Sequence, residues 1–123
     1  AGENIANAIS FVAPIESSGL DYLQPSVTKV GGISAFMQVG QNVRLAGKRL
    51  APHSPYFGPG YLATLQMASV FPEIQWVEHF GMTLEAPVFG GAETPDEQGV
   101  ITLPSGPGLG FDPDPSVLKA FSE

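Results

Sequence analysis

The chain has 123 residues, about the length of one domain, and 43% of them are hydrophobic, which is enough for a single core. Only 14% are charged, and 15 Gly and 12 Pro make the chain rich in loops. The net charge of −7 makes nucleic acid and membrane surfaces poor partners, and the absence of cysteine excludes disulfides and a cysteine nucleophile. A chain without cysteine fits a reducing cytoplasm, where we expect it.

The first predicted element is a helix over residues 4–18. Its apolar residues recur at spacings of three and four, as on one face of a helix: Ile5, Ile9, Val12 and Ile15. Pro14 lies inside this stretch, where it removes a hydrogen-bond donor, so we expect a kink or an early end. A short strand is predicted at residues 21–24.

Helices and strands are then predicted in alternation. The segments, in chain order, are a helix at 31–44, a strand at 48–51, a helix at 61–70 and a strand at 75–78. The intervening PHSPYFGPG contains three Pro and two Gly, which exclude regular structure. With residues 1–3 as the end of a first strand, the alternation predicts parallel strands joined by crossover helices.

Beyond residue 80 the composition changes to segments rich in Gly and Pro. Short strands are predicted at 87–89 and 100–103, and a final helical turn from Pro115. The sequence therefore predicts an α/β unit followed by a loop-rich tail.

Three chemically capable side chains stand at or just after the carboxyl ends of predicted strands: Glu3, His53 and Glu78. Each has an ordinary structural explanation on its own, such as a charge at a helix N-terminus or an exposed loop histidine. Ligands of α/β folds bind at this edge of the sheet. Two acids and a histidine converging there would form an acid/base site.

The strings AGEN, DYLQPSVTKVGGI, LAPHSP, QWVEHF and LPSGPGLGF, in this order and spacing, resemble the C-terminal half of the enolase superfamily. The resemblance is to the mandelate racemase/muconate lactonizing enzyme branch and covers essentially the whole chain. It implies a partial (β/α) TIM-type barrel at residues 1–80, and a segment at 81–123 that packs towards a capping domain. It also implies Mg²⁺ as cofactor and abstraction of the proton alpha to a substrate carboxylate.

The same resemblance implies roles for individual residues. Glu3 matches the third of three metal-binding carboxylates, His53 the general base or acid of the seventh strand, and Glu78 the acid that hydrogen-bonds the substrate carboxylate and stabilises the enediolate. Lys29 matches a common family lysine, to which we give a supporting role. Ser26 stands where relatives carry the aspartate of a histidine–aspartate dyad or a catalytic lysine.

Ser26 favours one reaction over another. A serine cannot supply the negative charge that an aspartate places beside an imidazole, which disfavours a two-base racemase. A dehydratase acting on a sugar acid or another hydroxy acid needs His53 only to protonate the departing hydroxide. A racemase or epimerase is the alternative, and a non-enzymatic structural or binding module that uses the GPG-rich loops is a further one.

The resemblance also implies a missing partner. A barrel of this type needs about 250 residues, so an N-terminal half is missing. That half, as a second chain or segment, would supply the first two metal ligands, another base and the capping domain. We therefore expect the chain to be a fragment or one partner of a split protein, inactive and weak in Mg²⁺ binding by itself. A homo-oligomer is also expected.

Overall fold

Two short parallel strands and the helix that connects them form the centre of the fold. The computed structural model describes residues 1–92 and 94–122. Its elements are a 3₁₀ turn at Ile9–Phe11, α1 at Val12–Glu16, β1 at Tyr22–Leu23, α2 at Ile33–Leu45, β2 at Arg49–Leu50, α3 at Pro59–Val70 and α4 at Pro115–Phe121. The strands β1 and β2 pair in parallel, with Leu23 opposite Leu50. The predicted parallel pairing with a crossover helix is confirmed.

The first residue continues the sheet beside β1. The backbone N–H of Gln24 donates to the carbonyl of Ala1 at 2.9 Å, and the Ala1 amine lies 3.3 Å from the carbonyl of Tyr22. Two bonds that straddle one residue of the neighbour are the pattern of a parallel pair. The segment predicted as a strand end at residues 1–3 therefore lies where the alternation placed it, although only Ala1 makes this pairing.

The core lies between the sheet and helices α2 and α3. Helix α2 buries one face, which consists of Phe36, Val39, Gly40 and Val43. Helix α3 is buried on almost all sides, because Ala63 and Met67 pack into the main core while Tyr61, Leu62 and Leu65 pack into a second cluster. Phe89, Ile101 and Leu109 of the C-terminal segment pack against that second cluster. The loop-rich tail thus covers the outer side of α3.

Phe71, which directly follows α3, packs against α2 in the core. It is 1% exposed and its ring meets that of Phe36 edge-on, with the ring centres 6.3 Å apart. A Cβ at Gly40 would lie 2.8 Å and 2.9 Å from the two Cε atoms of Phe71, closer than real side chains approach. Only glycine allows the α2 backbone to come this near the ring. The packing of α2 on the end of α3 therefore depends on one large residue and one residue without a side chain.

An ion pair reinforces the same contact. Arg44 in the last turn of α2 donates from Nε and Nη2 to the two carboxylate oxygens of Glu73, at 2.8 Å and 2.9 Å. Its guanidinium also lies 5.0 Å from the centre of the Phe71 ring. The hydrogen bond from Arg44 holds the pKa of Glu73 below its usual value. A bidentate arginine–carboxylate pair of this kind fixes geometry as well as charge.

This pair predicts a pH dependence of stability. Because the folded state lowers the pKa of Glu73, the ionised pair stabilises the fold above the usual glutamate pKa of about 4.3 and less as the pH falls below it. Glu73→Gln should therefore lower the free energy of unfolding at neutral pH, and this difference from the unmodified chain should shrink below pH ~4. Urea unfolding at a series of pH values measures it. Glu97→Gln, at an exposed loop acid, is the control; an equal effect there would contradict the assignment.

The N-terminal helix is shorter than predicted, and its buried face is different. Regular structure begins only at Ile9, after a turn in which the Ile5 N–H donates to the carbonyl of Gly2. Phe11 and Ile15 are buried, whereas Ile9 is 77% exposed. Pro14 lies in the first turn of α1, where backbone N–H groups have no partner within the helix, so it is accommodated. The helix continues past Pro14 and ends at Glu16, two residues before the predicted end, so Pro14 itself does not end it.

Three predicted strands are absent from the described part of the chain, where β1 and β2 are the only strands. Residues 75–78 form no strand, because no backbone hydrogen bond joins them to β2 among the described residues. The carbonyl of Glu78 accepts from a serine side chain. Residues 87–89 lie at a turn that leads into two glycines with positive φ, and residues 100–103 follow a loop in which Asp96 accepts two backbone N–H bonds. Within residues 1–92 and 94–122, no helix has the length and apolar character needed to cross a membrane.

The predicted terminal helix is present as α4. Asp114 caps it by accepting from the backbone N–H of Ser116 at 2.8 Å and from the Ser116 hydroxyl at 2.6 Å. The hydroxyl bond from Ser116 is the main reason that the pKa of Asp114 lies below its usual value. Helix α4 buries none of its residues, and Phe121 is 69% exposed. The proposed division of the chain at residue 80 stays a prediction.

Candidate active site

The histidine of the predicted site stands at the carboxyl end of the two-stranded sheet. Hydrogen bonds continue past β2, since the N–H of Ala51 donates to the carbonyl of Leu23 and that of His53 donates to the carbonyl of Pro25, at 3.0 Å and 3.1 Å. Prolines on both sides of the His53–Ser54 pair restrict the backbone of the segment. His53 is therefore held at the sheet edge by main-chain contacts to the segment that follows β1.

Two carboxylates converge on the His53 ring. Glu78 Oε2 lies 2.7 Å from His53 Nδ1, and Glu3 Oε2 lies 3.7 Å from the same nitrogen. The Nδ1 atom is buried, and no acceptor among the described residues is aligned with its N–H direction. The contact with Glu78 is therefore short in distance, but its angle falls short of a hydrogen bond. The structure brings together the three residues that the strand ends predicted.

This cluster is open on one side. The side chain of His53 is 16% exposed, whereas those of Glu78 and Glu3 are 44% and 53% exposed. The cluster thus lies at an open edge of the sheet. A reacting molecule could approach the carboxylates from solvent, while the ring is held against the protein.

Ser54 holds Glu78 in place. The backbone N–H of Ser54 donates to Glu78 Oε2 at 3.0 Å, and the Ser54 hydroxyl donates to the Glu78 carbonyl at 2.9 Å. Ser54 is completely buried. The two bonds fix both the backbone and the carboxylate of Glu78 against the residue that follows His53. The segment after α3 is thereby attached to the segment after β2.

Ser26 belongs to a partly buried network of hydroxyls that reaches the backbone of His53. It is completely buried, and its hydroxyl shares hydrogen bonds with Thr28 at 2.9 Å and with Tyr56 at 3.3 Å. The Tyr56 hydroxyl donates to the backbone carbonyl of His53 at 3.0 Å and shares a further bond with Thr64. Ser26 therefore reaches the backbone of His53 through Tyr56, and makes no hydrogen bond to its ring among the described residues. Its predicted catalytic role stays a prediction.

Lys29 lies beside the N-terminal segment that contains Glu3, outside the cluster of Glu3, His53 and Glu78. Its Nζ donates to Asn4 Oδ1 at 3.0 Å at an exposed position. Asn4 directly follows Glu3, so Lys29 links the N-terminal segment to the loop after β1. The supporting role that we give to Lys29 stays a prediction.

Sequence reasoning missed Ser54, Tyr56 and Thr64. The first two lie in the Pro- and Gly-rich segment, whose composition predicts only a turn. Thr64 offered a weak signal, because it is a hydroxyl in a predicted helix whose neighbours Leu62, Ala63 and Leu65 are apolar. A buried hydroxyl of this kind is expected to find a hydrogen-bond partner, but the sequence does not show which one.

The described residues do not form a complete Mg²⁺ site. Mg²⁺ prefers six oxygen ligands in octahedral geometry, with carboxylates as its usual protein ligands. No group of three or more His, Asp or Glu side chains within residues 1–92 and 94–122 is arranged to hold a metal ion. Glu3, with a half-exposed carboxylate, can serve as one ligand. The chain by itself therefore fits part of such a site.

Comparison with known proteins places the chain in a family. The profile described as enolase C-terminal domain-like matches residues 1–117. The chain belongs to the enolase C-terminal domain-like family. The family resemblance predicted from the ordered motifs is thus confirmed, and so is the predicted fold class, the C-terminal part of an enolase-type barrel.

Individual relatives agree with this family. The chain is 31% identical over 122 residues to a D-galactonate dehydratase of Klebsiella pneumoniae, covering 93% of this chain and 32% of that protein. It is 29% identical over 119 residues to a D-galactarolactone cycloisomerase of Agrobacterium fabrum, covering 87% of this chain and 31% of that protein. The chain therefore spans about a third of the length of these relatives.

A solved structure shows the same fold. The mandelate racemase/muconate lactonizing enzyme from a Sulfitobacter species superposes with a TM-score of 0.81 at 23% identity, covering 97% of this chain and 30% of that chain. The two-stranded sheet and its helices thus correspond to one part of a larger enzyme fold.

Proposed function

We propose that this chain is the C-terminal part of the barrel of a sugar-acid dehydratase. The observation that carries the proposal is the convergence of Glu3 and Glu78 on His53 at the carboxyl end of the sheet, at 3.7 Å and 2.7 Å. Catalytic residues of β/α barrels stand at this end of the strands. The similarity to a D-galactonate dehydratase over 93% of the chain supports a sugar acid as substrate.

His53 acts as the general acid in this proposal. A base supplied by the rest of the barrel removes the proton alpha to the substrate carboxylate, which leaves an electron pair on the α-carbon. That pair forms the new carbon–carbon double bond as the bond to the β-hydroxyl breaks. His53 gives a proton to the hydroxyl, which leaves as water. The resulting enol tautomerises to a 2-keto-3-deoxy acid.

Glu3 and Glu78 act on the substrate carboxylate in this proposal, Glu3 through the metal and Glu78 directly. Glu78 lies within reach of both His53 and a substrate carboxylate, because its side chain is 44% exposed while Oε2 contacts the ring. Glu3 would give one ligand to Mg²⁺. When bound, the metal would supply positive charge to the substrate carboxylate. The remaining Mg²⁺ ligands would come from the same segment that supplies the α-proton base. The expected homo-oligomer stays a prediction.

The test uses the completed barrel, meaning this chain together with the segment that supplies the rest of the barrel and the capping domain. It is incubated with Mg²⁺ and a panel of aldonic and aldaric acids, and the products are identified by mass spectrometry and NMR. We expect loss of one water and a 2-keto-3-deoxy product. Interconversion of stereoisomers without loss of water would instead establish the racemase or epimerase alternative. Binding of the acids without any reaction would favour the non-enzymatic module.

A further inference from the structure

We propose that Glu78 is the positioning residue that fixes the ring of His53 with its proton on Nδ1. It would thus do what an aspartate does at the position of Ser26 in relatives that have a histidine–aspartate dyad. This role deepens the proposed function. It rests on that function only for the chemistry that the oriented ring performs, which is proton donation to the leaving hydroxyl. Glu78 thus has a role towards His53 in addition to any contact with substrate.

Glu78 is the carboxylate nearest to the buried Nδ1 atom of His53. A buried N–H without an acceptor costs free energy, so nearly all such groups in proteins are paired. The Nδ1 atom of His53 is buried, and Glu78 Oε2 at 2.7 Å is 1.0 Å closer than Glu3 Oε2 at 3.7 Å. The separation from Glu78 is already that of a charge-assisted hydrogen bond, so only the angle has to change. Glu78 is therefore the acceptor that an Nδ1–H group would use.

Ser54 anchors the Glu78 carboxylate that faces the ring. The Ser54 backbone N–H donates to the same oxygen, Oε2, that contacts the ring, and the Ser54 hydroxyl donates to the Glu78 carbonyl. Ser54 follows His53 directly and is completely buried. The acceptor is thus anchored to the neighbour of the residue that it orients. An anchored acceptor restricts the ring more than a freely rotating surface carboxylate could.

The contacts of Ser26 exclude it from this task. Its hydroxyl bonds to Thr28 and Tyr56, and it reaches His53 only through the backbone carbonyl to which Tyr56 donates. The hydrogen bond at one ring nitrogen determines which nitrogen carries the proton. With Nδ1 turned to Glu78, Nε2 is the nitrogen left to exchange a proton with a departing hydroxyl.

The tautomer of His53 can be measured in the chain itself. Long-range ¹H–¹⁵N correlation NMR at pH ~9, above the range in which histidines ordinarily titrate, distinguishes an Nδ1–H from an Nε2–H ring. The chain has two histidines, and the ring of His79, which lies edge-on to Tyr61, gives the internal reference. We expect the Nδ1–H form to predominate for His53. Predominance of the Nε2–H form in the unmodified chain would overturn the proposal.

Three variants identify the acceptor. Glu78→Met keeps the length of the side chain but removes both oxygens, and should convert His53 to the Nε2–H form. Glu78→Gln keeps one acceptor oxygen and should retain the Nδ1–H form. Glu3→Met is the matched control at the second carboxylate and should leave the tautomer unchanged. Conversion by Glu3→Met, or no conversion by Glu78→Met in a chain that keeps its dispersed amide spectrum, would contradict the assignment.

The outcome is separate from the test of the proposed function. A completed barrel that dehydrates no acid would overturn that function and leave the measured tautomer as it is. A dehydratase in which His53 carries its proton on Nε2 would keep the function and remove the role of Glu78.

Discussion

Replacement of His53 by asparagine in the completed barrel should abolish loss of water from the sugar acid, while the alpha proton continues to exchange with solvent deuterium. Asparagine keeps a polar side chain but cannot deliver a proton to the leaving hydroxyl. General acid catalysis contributes a factor of about 10² to 10⁴, so dehydration should fall by at least ~100-fold. Mass spectrometry in deuterium oxide measures exchange and water loss in the same sample.

The control is the second histidine of the chain. His79→Asn changes the residue next to Glu78, outside the cluster formed with Glu3 and His53, and should preserve dehydration. If His53→Asn also stops deuterium exchange, His53 is the base that removes the alpha proton, and the roles given to the two halves of the barrel are reversed.

Truncation of Phe71 should have the largest effect on folding stability. Phe71→Ala removes a ring that is 1% exposed, that meets Phe36 edge-on and that fills the space above Gly40. Substitutions of this type cost about 3–5 kcal/mol, through lost transfer free energy and the cavity left behind. Since whole domains are stable by only about 5–15 kcal/mol, this loss is a large fraction of the stability of the fold. Urea unfolding, followed by circular dichroism, gives the change in the free energy of unfolding.

The matched control uses the same chemical change on the surface. Phe121 in α4 is 69% exposed, so Phe121→Ala should change the free energy of unfolding by no more than about 0.5 kcal/mol. A loss below about 1 kcal/mol for Phe71→Ala, or equal losses for the two variants, would contradict the described core.

The helices that were predicted well are those whose signals are local. In α2 the apolar residues keep a helical spacing over three turns, and in α3 most residues are apolar. A Gly precedes each helix, and the sequence predicts both positions to within two residues. The prediction of the N-terminal helix was wrong in its extent and its buried face. Ile9 and Val12 have the same helical spacing as Ile15, but they are exposed whereas Ile15 is buried. Periodicity shows which residues could share a face, but packing decides which face is covered.

Strands depended on partners that the local sequence does not show. Residues 75–78 have the composition of a strand, yet in the described chain the carbonyl of Glu78 accepts from the hydroxyl of Ser54. A hydroxyl 24 residues away cannot be inferred from periodicity. The same holds for residues 87–89 and 100–103, where positive-φ glycines and the Asp96 loop form turns.

The candidate site was predicted as far as strand ends can predict one. Glu3, His53 and Glu78 stand at or after predicted strand ends, which a parallel sheet would bring to one edge. The three residues meet there although residues 75–78 form no strand. The anchors of the site could not be predicted in this way. Ser54 and Tyr56 act from a segment without regular structure, through hydrogen bonds whose partners lie at a distance along the chain. Their roles depend on the path of the loop after β2.

Calorimetry of Mg²⁺ binding tests the central claim, that this chain carries one part of a metal-dependent active site. One carboxylate leaves most of the octahedral ligand positions of Mg²⁺ to water, so the chain alone should bind the ion weakly or not at all. The completed barrel should show a tight 1:1 site that is lost again in Glu3→Gln. A tight 1:1 Mg²⁺ site in this chain alone, or an unchanged site in the completed barrel with Glu3→Gln, would contradict the account.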